Sequence, residues 1–123
     1  MTIIQAIQQT DALKPNTYST RQKILWLSQL EFMVKRLVID VYAGADGSAF
    51  SGFTEDTDPS TVLYMEAPFD MAYRYWLEAQ IHYANEDPDL YNGAMGMFRS
   101  VFGAYQDHYK KTHASRPASR FRF

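Results

Sequence analysis

Apolar residues recur at helical spacing along the second half of the chain. Tyr91, Met95, Phe98, Phe102, Tyr105 and Tyr109 follow one another at steps of four and three, which puts them on one stripe of a helix that needs covering. Roughly opposite lie Gly93, Gly96, Ser100, Gly103 and Asp107, spaced in the same way. An interior glycine costs a helix about 0.8–1 kcal/mol relative to alanine. Three on one face point to a contact surface where another backbone comes close. The stretch before it, from Tyr73, reads as the other arm of a helical hairpin. Asn85-Glu86-Asp87-Pro88 is the tight link, with Asp87 as N-cap and Pro88 in the first helical position. The second arm then runs to about Thr112, on the order of 37 Å.

The first half predicts two more helices. Thr2 caps a short one over Ile3 to Leu13, ended by Lys14-Pro15-Asn16. Ser19 followed by Gln22 makes a capping box that opens a long helix toward Tyr42, with Ala43-Gly44 ending it. This helix is apolar on two sides. Ile24, Leu27, Leu30, Val34, Leu37, Val38 and Val41 form a broad core face, and Leu25, Phe32 and Ile39 form a narrow second stripe at steps of seven. A helix of that kind is sandwiched between two things. The second stripe is covered by a neighbouring subunit, by the first helix, or by Phe50 and Phe53 from the segment that follows. That segment, residues 43–61, is rich in Gly, Ser, Asp and Thr and reads as a long loop. Val62 to Met65 reads as a short extended piece, and Pro68 with Asp70 opens the third helix. The expectation is an all-α bundle of about four helices. Residues 1–112 form the helical domain and residues 113–123 a basic extended tail, with no internal repeat and no second domain.

Charge changes the picture more than composition does. The net charge is −2, yet no Lys or Arg falls between Arg36 and Arg74, where Asp40, Asp46, Glu55, Asp56, Asp58, Glu66 and Asp70 lie. After Asp107 the order reverses, with Lys110, Lys111, Arg116, Arg120 and Arg122 and no acid. Such segregation serves association between copies, attracts a partner, or solvates two exposed segments. With nine Tyr, eight Phe and two Trp, the core needs no disulfide or metal. The absence of cysteine removes disulfides, thiolate zinc sites and a Cys nucleophile. The N-terminus lacks the pattern of a signal peptide, and no run approaches ~18 apolar residues. A soluble, intracellular protein with no membrane role is expected.

Catalytic patterns are poor. No GxSxG, GxGxxG, Walker or HExxH motif occurs. His108 and His113, with Asp107, are too few and too spread around a helix for zinc. Asp56-Thr57-Asp58 starts like a calcium loop, but Thr61 and Ala67 stand where Gly and Glu are required. Glu78 and His82, one turn apart, offer an acid–base pair, although helix surfaces form such ion pairs routinely. Met65, Met71, Met95 and Met97 read as core filler. No catalytic residue, cofactor or metal is expected. No basic helix face or aromatic platform supports sequence-specific nucleic-acid binding. Ser119-Arg120-Phe121-Arg122-Phe123 alternates polar and aromatic residues, as a strand added to another protein's sheet edge does.

Three stretches together resemble the head–tail connector (adaptor, or head-completion) proteins of tailed bacteriophages. They are KPNTYSTRQKILWLSQLE, the acidic loop running into EDTDPSTVLYMEAPFDMAYRYWLEAQIHYAN, and YNGAMGMFRSVFGAYQDHYKKTH, together reaching from about Lys14 to His113. The resemblance implies an all-helical subunit in a ring of about twelve copies beneath the portal protein. DNA passes through that ring without sequence-specific binding, and the protein resides in the virion neck after synthesis in the host cytoplasm. It also implies a C-terminal segment that grips the portal (Arg116, Arg120, Phe121, Arg122 and Phe123) and a loop that receives the next neck or tail-completion protein or lines the channel (Asp46, Phe50, Phe53, Glu55, Asp56 and Asp58). The faces bearing Leu25, Phe32, Ile39, Gly93, Gly96, Ser100 and Gly103 would join subunits. The alternative is a small helical regulator or other phage-encoded interaction protein acting as a dimer.

Overall fold

The computed structural model describes residues 1–42 and 49–113, which form an all-α fold with no β-strand among them. Helix α1 (Ile3–Leu13) begins with a reciprocal capping box. Gln5 N–H donates to Thr2 Oγ1 at 3.2 Å, and Thr2 N–H donates to Gln5 Oε1 at 2.9 Å. Its remaining first-turn donors find partners in the acidic loop. Ile3 N–H reaches the Thr61 carbonyl at 3.1 Å and Ile4 N–H the Pro59 carbonyl at 3.0 Å, so no helix-end donor is left dry. Leu63 N–H then donates to the Met1 carbonyl at 2.9 Å. Of the extended piece expected at Val62 to Met65, only a single bridge between Thr2 and Val62 forms, and the chain bends at Tyr64 and Met65.

Helix α2 (Thr20–Val34) opens on Ser19, whose hydroxyl accepts from Gln22 N–H at 3.1 Å. Only that half of the expected box is made; Thr2 and Gln5 make the complete one. The helix passes without a break into a π-helical turn (Lys35–Ile39) and closes with Asp40–Tyr42. Its expected terminator, Ala43-Gly44, lies outside the described residues. Helix α3 (Met71–Ala84) starts three residues after Pro68, which follows a cis peptide bond with Ala67. Asp70 makes no side-chain cap; its carboxylate faces the Met1 amine at 3.7 Å instead. Helix α4 (Pro88–His113) starts at the expected proline, with Asp87 Oδ1 accepting from Leu90 N–H at 3.2 Å. It includes His113, one residue beyond the expected end.

The α3–α4 hairpin is the largest helix pair, and α3 is central, packing also against α1 and α2. Phe98, Phe102 and Tyr105 of the aromatic stripe are buried, with Met95 and Tyr109 packed beside them. They meet Leu77 and Tyr73 from α3, Leu27, Leu30 and Val34 from α2, and Ile3 and Ile7 from α1 in one core. Both tryptophans lie at the seam between α2 and the hairpin. Trp76 Nε1–H donates to the Trp26 carbonyl at 2.8 Å, while Trp76 leans on Phe98 and Trp26 on Tyr18.

Candidate interaction surfaces

The outer face of α2 departs from the sequence expectation, and the π-turn is the reason. An α-helix repeats every 3.6 residues, whereas a π-turn inserts one extra residue. Up to Val34 the expected core face holds. Beyond it, Val38 stays fully buried, but Leu37 and Val41 turn outward with 48% and 56% of their surface exposed. Ile39, expected on the outer stripe, turns inward and packs with Tyr42 against the core. The outer apolar face therefore comprises Leu25, Phe32, Leu37 and Val41 rather than Leu25, Phe32 and Ile39.

Part of that face is covered from within the chain. Phe50 meets the Phe32 ring edge-on at 4.7 Å and the Phe53 ring at 5.0 Å. Phe53 is buried in the core, and its N–H donates to Ser28 Oγ at 2.9 Å. Gly52 has φ +97, and a Cβ there would meet Phe32 and Ser28 at 3.3 Å, so this crossing requires glycine. Phe53 is therefore held mainly by its own chain, and Phe50 is half-buried. Glu55, Asp56 and Asp58 remain exposed. Asp58 is engaged locally: its Oδ1 accepts from the Ser60 N–H at 2.9 Å and the Ser60 hydroxyl at 2.8 Å, bonds that lower its pKa. Glu55 faces Arg21 at 3.6 Å.

On α4 the expected second face is open. A Cβ added at Gly93, Gly96 or Gly103 would meet nothing within 4 Å, so no contact among the described residues calls for glycine there. Gly93, Gly96 and Ser100 are exposed, Gly103 is partly so, and Leu90 and Met97 stand out beside them. Met97 and Met71 are thus surface residues, whereas Met65 is buried as expected.

Glu78 and His82 are not on an open helix surface. Both are buried and line a shallow cleft of about 220 Å³ with Lys14, Tyr75, Asp89 and Met97. The partner of Glu78 is Arg74, whose Nε lies 3.4 Å from Oε2. Among the described residues no group of His, Asp and Glu is arranged to hold a metal ion, and no helix is long and apolar enough to cross a membrane.

The sequence reading missed Glu31, which is 1% exposed. Its Oε2 accepts from Tyr64 N–H at 2.8 Å and its Oε1 from the Tyr73 hydroxyl at 2.5 Å. Tyr73 in turn accepts from Met65 N–H at 2.8 Å. Glu31 thus fastens the bend at Tyr64 and Met65 to both α2 and α3. Burial raises its pKa to about 7, outweighing the lowering effect of the bonds from Tyr73 and Tyr64. The available signal was position: Glu31 stands one turn from Leu27, on the apolar face.

Arg116, Arg120, Phe121, Arg122 and Phe123, assigned to portal contact, and Asp46 of the loop lie outside the described residues. No protein-family model matches this chain, and no match was found among curated proteins or solved structures.

Proposed function

We propose that this chain is a structural subunit of a tailed-phage neck, a connector that assembles as a ring beneath the portal and joins the DNA-filled head to the tail. The observation that carries the reading is the presence of two apolar faces on different helices, each without a full partner among the described residues. One is the Leu25/Phe32/Leu37/Val41 face of α2, and the other is the Leu90/Gly93/Gly96/Met97 face of α4. Unlike faces that meet between copies make a heterologous contact, which closes into a ring when the rotation allows. A dimeric regulator, by contrast, needs only one self-complementary face. The exposed acids Glu55, Asp56 and Asp58 then serve a tail-side component or repel DNA in the channel, since cations there would bind phosphate. The segment from Arg116 to Phe123 supplies the portal contact. Electron microscopy of the protein assembled with its portal tests the reading. A closed ring with both faces between subunits is expected, and a one-to-one or dimeric arrangement overturns it.

A further inference from the structure

The tip of the α3–α4 hairpin carries a notch of about 470 Å³ lined by Tyr83, Glu86, Asp87, Pro88 and Tyr91. The Tyr83 and Tyr91 ring centroids are 5.5 Å apart, and Tyr83 is 69% exposed. Glu86 is exposed and has no ion pair among the described residues. It stands at φ 58, the left-handed position that glycine usually takes after a helix. Its N–H donates to the Tyr83 carbonyl at 3.0 Å, and the Asp87 N–H to the His82 carbonyl at 3.0 Å, which fixes the turn. Among the described residues no Lys or Arg lines the notch. Two aromatic faces beside an unpaired carboxylate form a receptor for a guanidinium or ammonium group and repel an anion.

We propose that this notch receives an arginine from the C-terminal basic segment of a second copy of the chain. Arg116, Arg120 and Arg122 occur there with no acidic residue and with Phe121 and Phe123 interleaved, so charge and aromatic character both complement the notch. Reach and the entropy of full extension favour another copy over the chain itself. Tyr91 and His113 stand at opposite ends of α4, separated by about 33 Å at 1.5 Å per residue. With roughly 6 Å of side chain added to the extended backbone, Arg120, seven residues past His113, reaches about 31 Å and falls short, and Arg122 reaches the notch only with nearly every bond stretched out along α4. The contact joins the two ends of the molecule head to tail and does not rest on the connector reading. Where a portal is present, the same arginines serve one contact at a time.

The test is an NMR titration of the isotope-labelled full chain with a synthetic peptide of residues 114–123, plus a dilution series without peptide. Saturable shifts of the Tyr83, Glu86 and Tyr91 amides are expected, weakening as salt rises. Tyr83→Ala, at an exposed position, and Glu86→Gly, which suits the backbone, keep the fold and lower peptide affinity about tenfold. A peptide with Arg120→Gln and Arg122→Gln binds correspondingly less. Three results overturn the proposal: no shift at millimolar peptide, shifts centred elsewhere, or equal binding by the substituted peptide. Signals at the notch that depend on the arginines but do not change on dilution would place the chain's own segment there and overturn the second-copy assignment.

Discussion

Glu31 shows how one side chain can set the response of the whole fold to pH. With its pKa raised from 4.5 to about 7, the folded protein holds a proton that the unfolded chain releases. The Glu31 contribution to stability is therefore greatest below pH 4.5. It erodes as pH rises toward 7, and the cost is complete above that, about 3 kcal/mol at 1.36 kcal/mol per unit. Glu31→Gln removes this titration. Urea unfolding between pH 4.5 and 8 should show a stability that declines with pH in the parent chain and a distinctly flatter profile in the variant. An unchanged slope would mean that the carboxylate keeps an ordinary pKa. The same residue marks a limit of sequence reading, because a lone Glu between Leu30 and Phe32 resembles a solvated helix position until its turn-mates are considered.

At the scale of elements, local chemistry was legible and helical pitch was not. Thr2 with Gln5 and Asp87 with Pro88 start helices where the residues say they must, since caps act within one turn. The Lys35–Ile39 turn has no such marker. It contains neither Pro nor Gly, so a constant period of 3.6 assigned Leu37 and Val41 to the core and Ile39 to the surface. The loop was legible in composition but not in role, because the burial of Phe53 depends on Ser28, far away in sequence. The π-turn makes a direct prediction. Leu37→Gln should change stability by less than about 0.5 kcal/mol, as exposed substitutions do. Val38→Ala, its fully buried neighbour, should cost on the order of 2 kcal/mol. Chemical denaturation of both variants decides it, and equal losses would argue for an uninterrupted α-helix.

For the whole molecule, the open glycine face separates folding from assembly. Leucine is a better helix former than glycine by about 0.6–0.8 kcal/mol, and a Cβ at Gly96 meets nothing within 4 Å. Gly96→Leu should therefore leave the monomer as stable as before or slightly more so. Under the connector reading it should nevertheless prevent subunits from joining, because it holds two backbones apart. Circular dichroism and light scattering with the portal present measure the two effects independently. Normal assembly by the variant would make the glycine face a plain exposed surface.

The placement of both tryptophans at one seam has a spectroscopic consequence. Trp76 hydrogen-bonds to the Trp26 backbone where α2 meets the hairpin, and the chain has no other indole. Intrinsic fluorescence therefore watches a single joint, whereas far-ultraviolet dichroism averages every helix. If the hairpin, whose contacts are local in sequence, outlives the departure of α2, the emission change will precede the loss of ellipticity. If the domain melts as one unit, the two curves will superimpose. Two ordinary cuvette measurements thus reveal whether the hairpin is an autonomous folding unit onto which the N-terminal helices later dock.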